Sequence, residues 1–275
     1  MELLQAVILG VVQGLTEFIP VSSSAHLAVL PYIMKIQNVF LSSLSFDTAL
    51  HGGTLLALLI YYHKEITKLT LAFLSGITTP ERRKTNDFKL ALYLIIGTVP
   101  AFLIGYYFKD YIEAKLRGPV SIAVLLMGFG LILLLADKIG KKKKNIAKMS
   151  LVDSIIIGCA QALALMPGVS RSGITMTTSL FLGYDREASA NYSFLLSIPA
   201  VAGAFAVKVP NILKTGSSVD LLLTGVGFIA AAISGYAGIV ILLKVVKKYS
   251  FLPFVIYRLM IGAGLIILVV GMGAK

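Results

Sequence analysis

The chain has 275 residues, 57% hydrophobic and 14% charged, with a mean hydropathy of +0.88. Soluble domains carry about 25% charged residues, so an ordinary water-soluble enzyme is excluded and an integral membrane protein is expected. The formal net charge of +12 would suit a nucleic-acid binder on a soluble domain. Here the bases lie between apolar runs, where loop charge sets orientation in the bilayer, and no nucleic-acid partner is expected.

In chain order, the N-terminal MELLQAVILGVVQG carries Glu2 and no basic flank, so it reads as part of the fold rather than a signal peptide. An apolar region at about 2–37 is broken near its middle by polar residues and Pro20. Apolar runs long enough to cross a bilayer follow at about 45–62, 88–108 and 118–137. A basic linker, 138–151, leads to a second interrupted region at about 152–185, which contains Pro167 and Gly168. Three more crossings lie at about 188–207, 219–243 and 254–272. Cys159, in an apolar run, is the single cysteine and cannot form an internal disulfide.

Loop charge orients these spans. Lys64, Lys68, Arg82, Arg83, Lys84 and Lys89 lie in 63–89; Lys138, Lys141 to Lys144 and Lys148 lie in 138–148; Lys244, Lys247 and Lys248 lie in 244–250. The alternate loops are poorer, with Lys109, Lys115 and Arg117 in one and Lys208 and Lys214 in the other. The rich loops share one side if both interrupted regions are re-entrant hairpins. The positive-inside rule puts that side in the cytoplasm and both termini outside.

An offset of 148 aligns Gln13 with Gln161, Val21 with Val169, Ser22 with Ser170, Ser24 with Ser172 and Phe46 with Phe194. Each half, about 1–137 and 152–272, is then one broken hairpin plus three crossings. Three is odd, so the halves have opposite orientation: an inverted-topology repeat. The expected fold is a single all-α polytopic membrane domain, with six transmembrane helices and two re-entrant helical hairpins. Irregular backbone at membrane depth needs protein or a wet cavity over it, so the two breaks should face each other.

Ionisable groups at that depth are costly and are functional candidates. They are Glu17, His26, Asp47, His51, Arg171 and Arg258. Gln13 and Glu17, four apart, share a helix face. Beyond Pro20, the run Ser22, Ser23 and Ser24 can cap a second helix and leave N–H groups open to an anion. His26 lies one turn further, a spacing suited to activating a serine or a water. In the second break Ser170 or Ser172 starts a helix from which Arg171 projects, and a guanidinium matches phosphate oxygens. An Arg171–Glu17 ion pair joining the hairpins is the competing reading. Asp47 and His51 open a span, where a snorkelling interfacial role is equally open, and Arg258 could meet a carboxylate or a lipid phosphate. Glu2, Asp153 and Asp220 look like helix-start charges.

QGLTEFIPVSSSAH and PGVSRSGIT, with FDTALHGGT and FLPFVIYR, resemble the signature of the bacitracin-resistance type undecaprenyl-diphosphatases, in order and over nearly the whole chain. The resemblance implies a plasma-membrane enzyme with an outward-facing site, stimulated by Mg²⁺ or Ca²⁺. It would remove the terminal phosphate of undecaprenyl diphosphate and so recycle the carrier lipid for cell-wall glycans. By position it assigns Gln13, Glu17, Ser23 as nucleophile, His26, Ser170, Arg171, Ser172 and Thr175. Gln13 stands where some members have a second glutamate, and Ala25 where a glycine often precedes the histidine.

On this reading Arg171, the hydroxyls of Ser22, Ser24, Ser170, Ser172 and Thr175, and the two helix N-termini hold phosphate. His26 is the base toward Ser23 or a water. Glu17 orients His26 or holds a divalent ion, and Gln13, Asp47, His51 and Arg258 support them. The isoprenoid tail stays among membrane lipids. The rival is a secondary transporter or flippase for a polyprenyl phosphate, since inverted repeats with broken hairpins are common in transporters. No P-loop is present. The sequence leaves oligomeric state, a homodimer included, open.

Overall fold

The computed structural model describes residues 1–215 and 217–273, with the side chains of 109–114, 208–215 and 272–273 outside the description. Among the described residues it is all helical. Helix α1 (Glu2–Phe18) and α2 (Ser23–Ile33) form the first broken pair, followed by α3 (Leu44–Tyr61), α4 (His63–Thr78), α5 (Asn86–Leu116) and α6 (Pro119–Ile139). The second broken pair is α7 (Leu151–Gln161), continued by a 3-10 turn to Leu165, and α8 (Arg171–Phe181). Helices α9 (Arg186–Thr215), α10 (Ser218–Lys248) and α11 (Leu252–Gly273) complete the chain.

Six helices are long and apolar enough to cross a membrane: Leu44–Tyr61, Asn86–Phe108, Pro119–Ile139, Arg186–Val207, Ser218–Lys248 and Leu252–Gly271. All six expected crossings are therefore helices, with ends moved by a few residues. Hydroxyl caps fix several starts: Ser43 accepts from Phe46 N, Thr85 from Phe88 N and Ser150 from Asp153 N. Ser217 and Asp220 form a reciprocal capping box, so Asp220 is a helix-start charge as expected.

The connections depart from expectation. Segment 63–89, expected as a basic loop, contains α4, because Ile66, Leu69 and Phe73 recur at helical spacing and pack toward α5, where the rings of Phe73 and Phe88 stack at 5.8 Å. The poorer loops are helical as well, since α5 and α9 run past the apolar span; the side chains of Lys109, Lys208 and Lys214 lie outside the described residues. The tetralysine run is partly folded inward. Lys142 pairs with the buried Asp137 at 3.1 Å and Lys144 with Asp153 at 3.3 Å, while Lys141 and Lys143 are exposed. Asp153 thus does more than start α7: it also accepts from Tyr184 Oη at 2.6 Å.

Small residues let the broken pairs sit close to their neighbours, as bilayer interiors favour. Helix α1 packs chiefly on α10 and α7 on α5. A Cβ added at Gly10 would stand 2.4 Å from Gly227 O, and one at Gly158 would stand 2.1 Å from Gly97 O. Phe18, at the end of α1, meets Phe194 of α9 edge-on at 5.2 Å. That contact carries the first break into the core shared by α3, α5, α9 and α10.

Candidate active site

Helix α1 stops at Phe18, two residues before Pro20, since the residue before proline disfavours helix and proline lacks an N–H. The chain re-enters a helix through Ser22, whose φ is +70°; α8 begins in the same way through Ser170 at +72°. Each is the residue before an 11-residue helix. Left-handed backbone costs a non-glycine residue of order 1–3 kcal/mol and clusters at functional positions. The two breaks meet, and Glu17 is the hub.

Glu17 is 6% exposed. Its Oε2 accepts from Ser23 Oγ at 2.6 Å and from Gln13 Nε2 at 2.9 Å. Oε1 accepts from Arg171 Nη2, closing an ion pair between the two broken helix pairs. His51 of α3 brings Nε2 to 3.5 Å from Oε2, while its Nδ1 meets Asp47 O at 2.8 Å. One carboxylate therefore gathers groups from α1, α2, α3 and α8. The expected Arg171–Glu17 pair is present, and His51 belongs to the cluster. Asp47 joins it through a backbone carbonyl, with a half-buried side chain.

Two expected partnerships differ. Ser23 Oγ is turned to Glu17 rather than to His26, and His26 touches neither Ser23 nor Glu17 through its side chain. Its Nδ1 meets Ser22 O at 2.8 Å, and its Nε2 meets Tyr257 Oη at 2.7 Å. Tyr257, on α11, was not among the sequence candidates; the signal was a phenol beside the intramembrane Arg258. Thr175 faces away from the cluster: its hydroxyl donates to Arg171 O at 2.8 Å and pairs with Ser193 Oγ of α9 at 2.6 Å. It braces the first turn of α8 against α9.

The remaining hydroxyls form matched pairs, Ser22 Oγ with Ser24 Oγ and Ser170 Oγ with Ser172 Oγ, both at 3.2 Å. Ser170 also caps α8 by accepting from Gly173 N at 3.1 Å, whereas the Ser22 side chain makes no cap bond to α2. Two helix N-termini thus open beside the Glu17–Arg171 pair, and helix N-termini attract anions.

Arg258 corrects a further expectation. It is fully buried, and its donors meet backbone carbonyls rather than a carboxylate. Nε donates to Leu126 O at 2.8 Å, Nη1 to Pro20 O at 3.3 Å, and Nη2 to Gly168 O and Val169 O at 2.9 and 3.1 Å. Broken helices leave carbonyls without partners, and one guanidinium with five donors ties both breaks to α6.

As a cation site the cluster is partial. Among the described residues no group of three His, Cys, Asp or Glu side chains stands ready for a metal. Gln13 Oε1 is buried without a partner and with Glu17 makes two oxygen donors, so a hard cation there would also need substrate oxygens.

The family described as Bacitracin resistance protein BacA matches residues 6–264. A protein named undecaprenyl-diphosphatase from Geobacter metallireducens is 46% identical over 98% of this chain and 99% of its own length. Its namesake from Geotalea daltonii is 46% identical over 95% and 96%. Undecaprenyl-diphosphatase 2 of Stutzerimonas stutzeri is 42% identical over 98% and 100%. The chain, with its six apolar crossings, is a multi-pass membrane protein and belongs to the BacA bacitracin resistance family.

Proposed function

We propose that the protein hydrolyses undecaprenyl diphosphate to the monophosphate and inorganic phosphate, recycling the carrier lipid and so conferring bacitracin resistance. The carrying observation is the meeting of the two breaks, where Glu17 holds Ser23 and Arg171 beside two open helix N-termini. The diphosphate takes Glu17's place on Arg171, and the N–H groups of α2 and α8 face the phosphate oxygens. Ser23 Oγ attacks the terminal phosphorus, its proton passes to Glu17, and the bridging oxygen leaves with the lipid monophosphate. Water then attacks the phosphorus of the serine phosphoester, His26 takes the water proton, and Glu17 returns its proton to the departing Ser23 Oγ. Mg²⁺ or Ca²⁺ held by Glu17, Gln13 and the diphosphate itself would neutralise phosphate charge.

The inverted repeat and the two re-entrant hairpins are part of this proposal. In their favour, Ser22 and Ser170 share a positive φ, the serine pairs match, and Gly10 and Gly158 seat on facing helices in the same way. Loop charge puts 63–89, 138–148 and 244–250 in the cytoplasm, with the site facing outward and both termini outside, in the plasma membrane. A groove of about 250 Å³ bounded by Ala28, Val29, Ile122, Leu265 and Leu268, with Arg117 among its lining, continues from α2 beyond His26 and suits the isoprenoid tail.

The test is phosphate release from a long-chain isoprenyl diphosphate by purified protein in detergent. Arg171→Ala and His26→Ala should each abolish release while the protein stays monodisperse. Activity in either variant above about one tenth of the parent, which is about 1.4 kcal/mol of barrier, rejects that assignment. Lipid movement across sealed vesicles with no hydrolysis in detergent would favour the transporter instead.

A further inference from the structure

His26 has two ring nitrogens, and both are engaged. Ser22 O can only accept, so the hydrogen between it and Nδ1 belongs to the imidazole. In the neutral ring Nε2 is then the lone-pair nitrogen, and the Tyr257 hydroxyl at 2.7 Å donates to it. The two rings lie nearly parallel, 8° apart with centroids at 5.6 Å. Tyr257 is itself held in place, because the next residue is the fully buried Arg258 with its four carbonyl partners. The phenol therefore sits at a fixed distance from both breaks. Tyr257 is 39% exposed.

We propose that Tyr257 is the positioning residue of His26: its hydroxyl holds the imidazole in the Nδ1–H form and delivers Nε2 as the basic nitrogen at the mouth of the site. The role builds on the phosphatase reading, in which His26 is the base of the second step. An imidazole held only at Nδ1 still swings about its Cα–Cβ and Cβ–Cγ bonds and presents Nε2 over a range of directions. A second bond at Nε2 fixes the angle, and proton transfer depends on that alignment. When substrate enters, the phenol turns its hydrogen to a phosphate oxygen, and Nε2, already aimed, accepts the proton of the attacking water.

Tyr257→Phe keeps the ring and its stacking and removes only the hydroxyl. It should lower kcat about tenfold, the worth of one positioning hydrogen bond, with KM within about twofold. Tyr257→Ala should lower both stability and kcat. Carbethoxylation of His26 by diethylpyrocarbonate, followed by peptide mass spectrometry, should be faster in Tyr257→Phe because the lone pair is no longer capped. Wild-type protein carrying ¹⁵N-histidine should show His26 protonated at Nδ1. Wild-type kinetics and an unchanged carbethoxylation rate in Tyr257→Phe would overturn the proposal, and so would a proton on Nε2 in the wild type. The labelling and nitrogen spectra need no substrate, so a failure of the phosphatase reading would appear separately, as wild-type protein that releases no phosphate.

Discussion

Replacing Arg258 with lysine separates charge from geometry. The guanidinium reaches four carbonyls at 2.8–3.3 Å, from Leu126, Pro20, Gly168 and Val169. A lysine ammonium carries its three donors on one nitrogen; placed where Nη2 meets Gly168 O and Val169 O it leaves Leu126 O and Pro20 O, so two buried carbonyls lose this donor. At about 1 kcal/mol each, the loss is about 2–3 kcal/mol. At about 2–4 °C per kcal/mol, Tm in detergent should fall by about 5–10 °C. Arg258→Met loses all four bonds but also removes a buried cation, and the desolvation it avoids offsets part of the cost. Arg258→Lys should therefore be no more stable than Arg258→Met. Both should lose most phosphate release, because Pro20 and Gly168 set the angle at which the two breaks meet. Thermal unfolding followed by circular dichroism and the phosphate assay give both readouts. An Arg258→Lys protein with wild-type Tm and activity would show that the charge alone matters and would refute the clasp.

Three further outcomes follow from packing and pairing. Gly158→Ala puts a methyl 2.1 Å from Gly97 O; backbone has to shift, and the cost should be about 1–3 kcal/mol, read as a lower Tm with normal membrane insertion. Asp137 is 3% exposed and receives Arg186 Nε at 2.6 Å, Lys142 at 3.1 Å and Phe251 N at 3.0 Å. Since Arg186 and Lys142 are each about a quarter exposed, Asp137→Ala should cost about 2–3 kcal/mol, less than a fully buried pair, with KM unchanged; a Tm equal to wild type would contradict this. Ser23→Ala should stop turnover while leaving Tm within about 2 °C, because its partner Glu17 keeps three other contacts; turnover at the wild-type rate would move the nucleophile from Ser23 to water.

Hydropathy revealed every crossing because a bilayer demands about 20 apolar residues in a row, and six helices meet that demand. Helix α4 was hidden because its charged start, His63 to Lys68, masks apolar positions that face α5 rather than lipid. The ends of α5 and α9 were hidden for another reason: nothing breaks α5 before Gly118, and α9 runs on through Pro210, so lysines read as loop charges lie within helices. At the site, Glu17, Ser23 and Arg171 were legible as polar groups at depth, and they do meet. Which of them pair was not legible. Ser23 reaches Glu17 rather than His26 because the turn at Ser22 takes a φ of +70°, an angle that residue spacing does not encode. Arg258 was misread for a related reason: its partners are backbone carbonyls, and carbonyls leave no mark in a sequence of side chains.

The resting cluster explains how so many polar groups survive at membrane depth. An unpaired charge there is costly, yet Arg171 has Glu17, Glu17 has Ser23 and Gln13, and both nitrogens of His26 are bonded. The same pairing withholds the chemistry: Arg171 is not free to hold phosphate, and Nε2 of His26 is not free to take a proton. Only a ligand with enough negative charge to replace a carboxylate on Arg171 can release Glu17. A diphosphate carries that charge, and a neutral lipid does not. In the proposed mechanism, once Arg171 turns to phosphate, Glu17 loses its strongest partner and becomes the better acceptor for the proton of Ser23, whose hydroxyl already donates to it at 2.6 Å. Binding and activation are then one event, so the energy of holding the diphosphate goes into preparing the nucleophile.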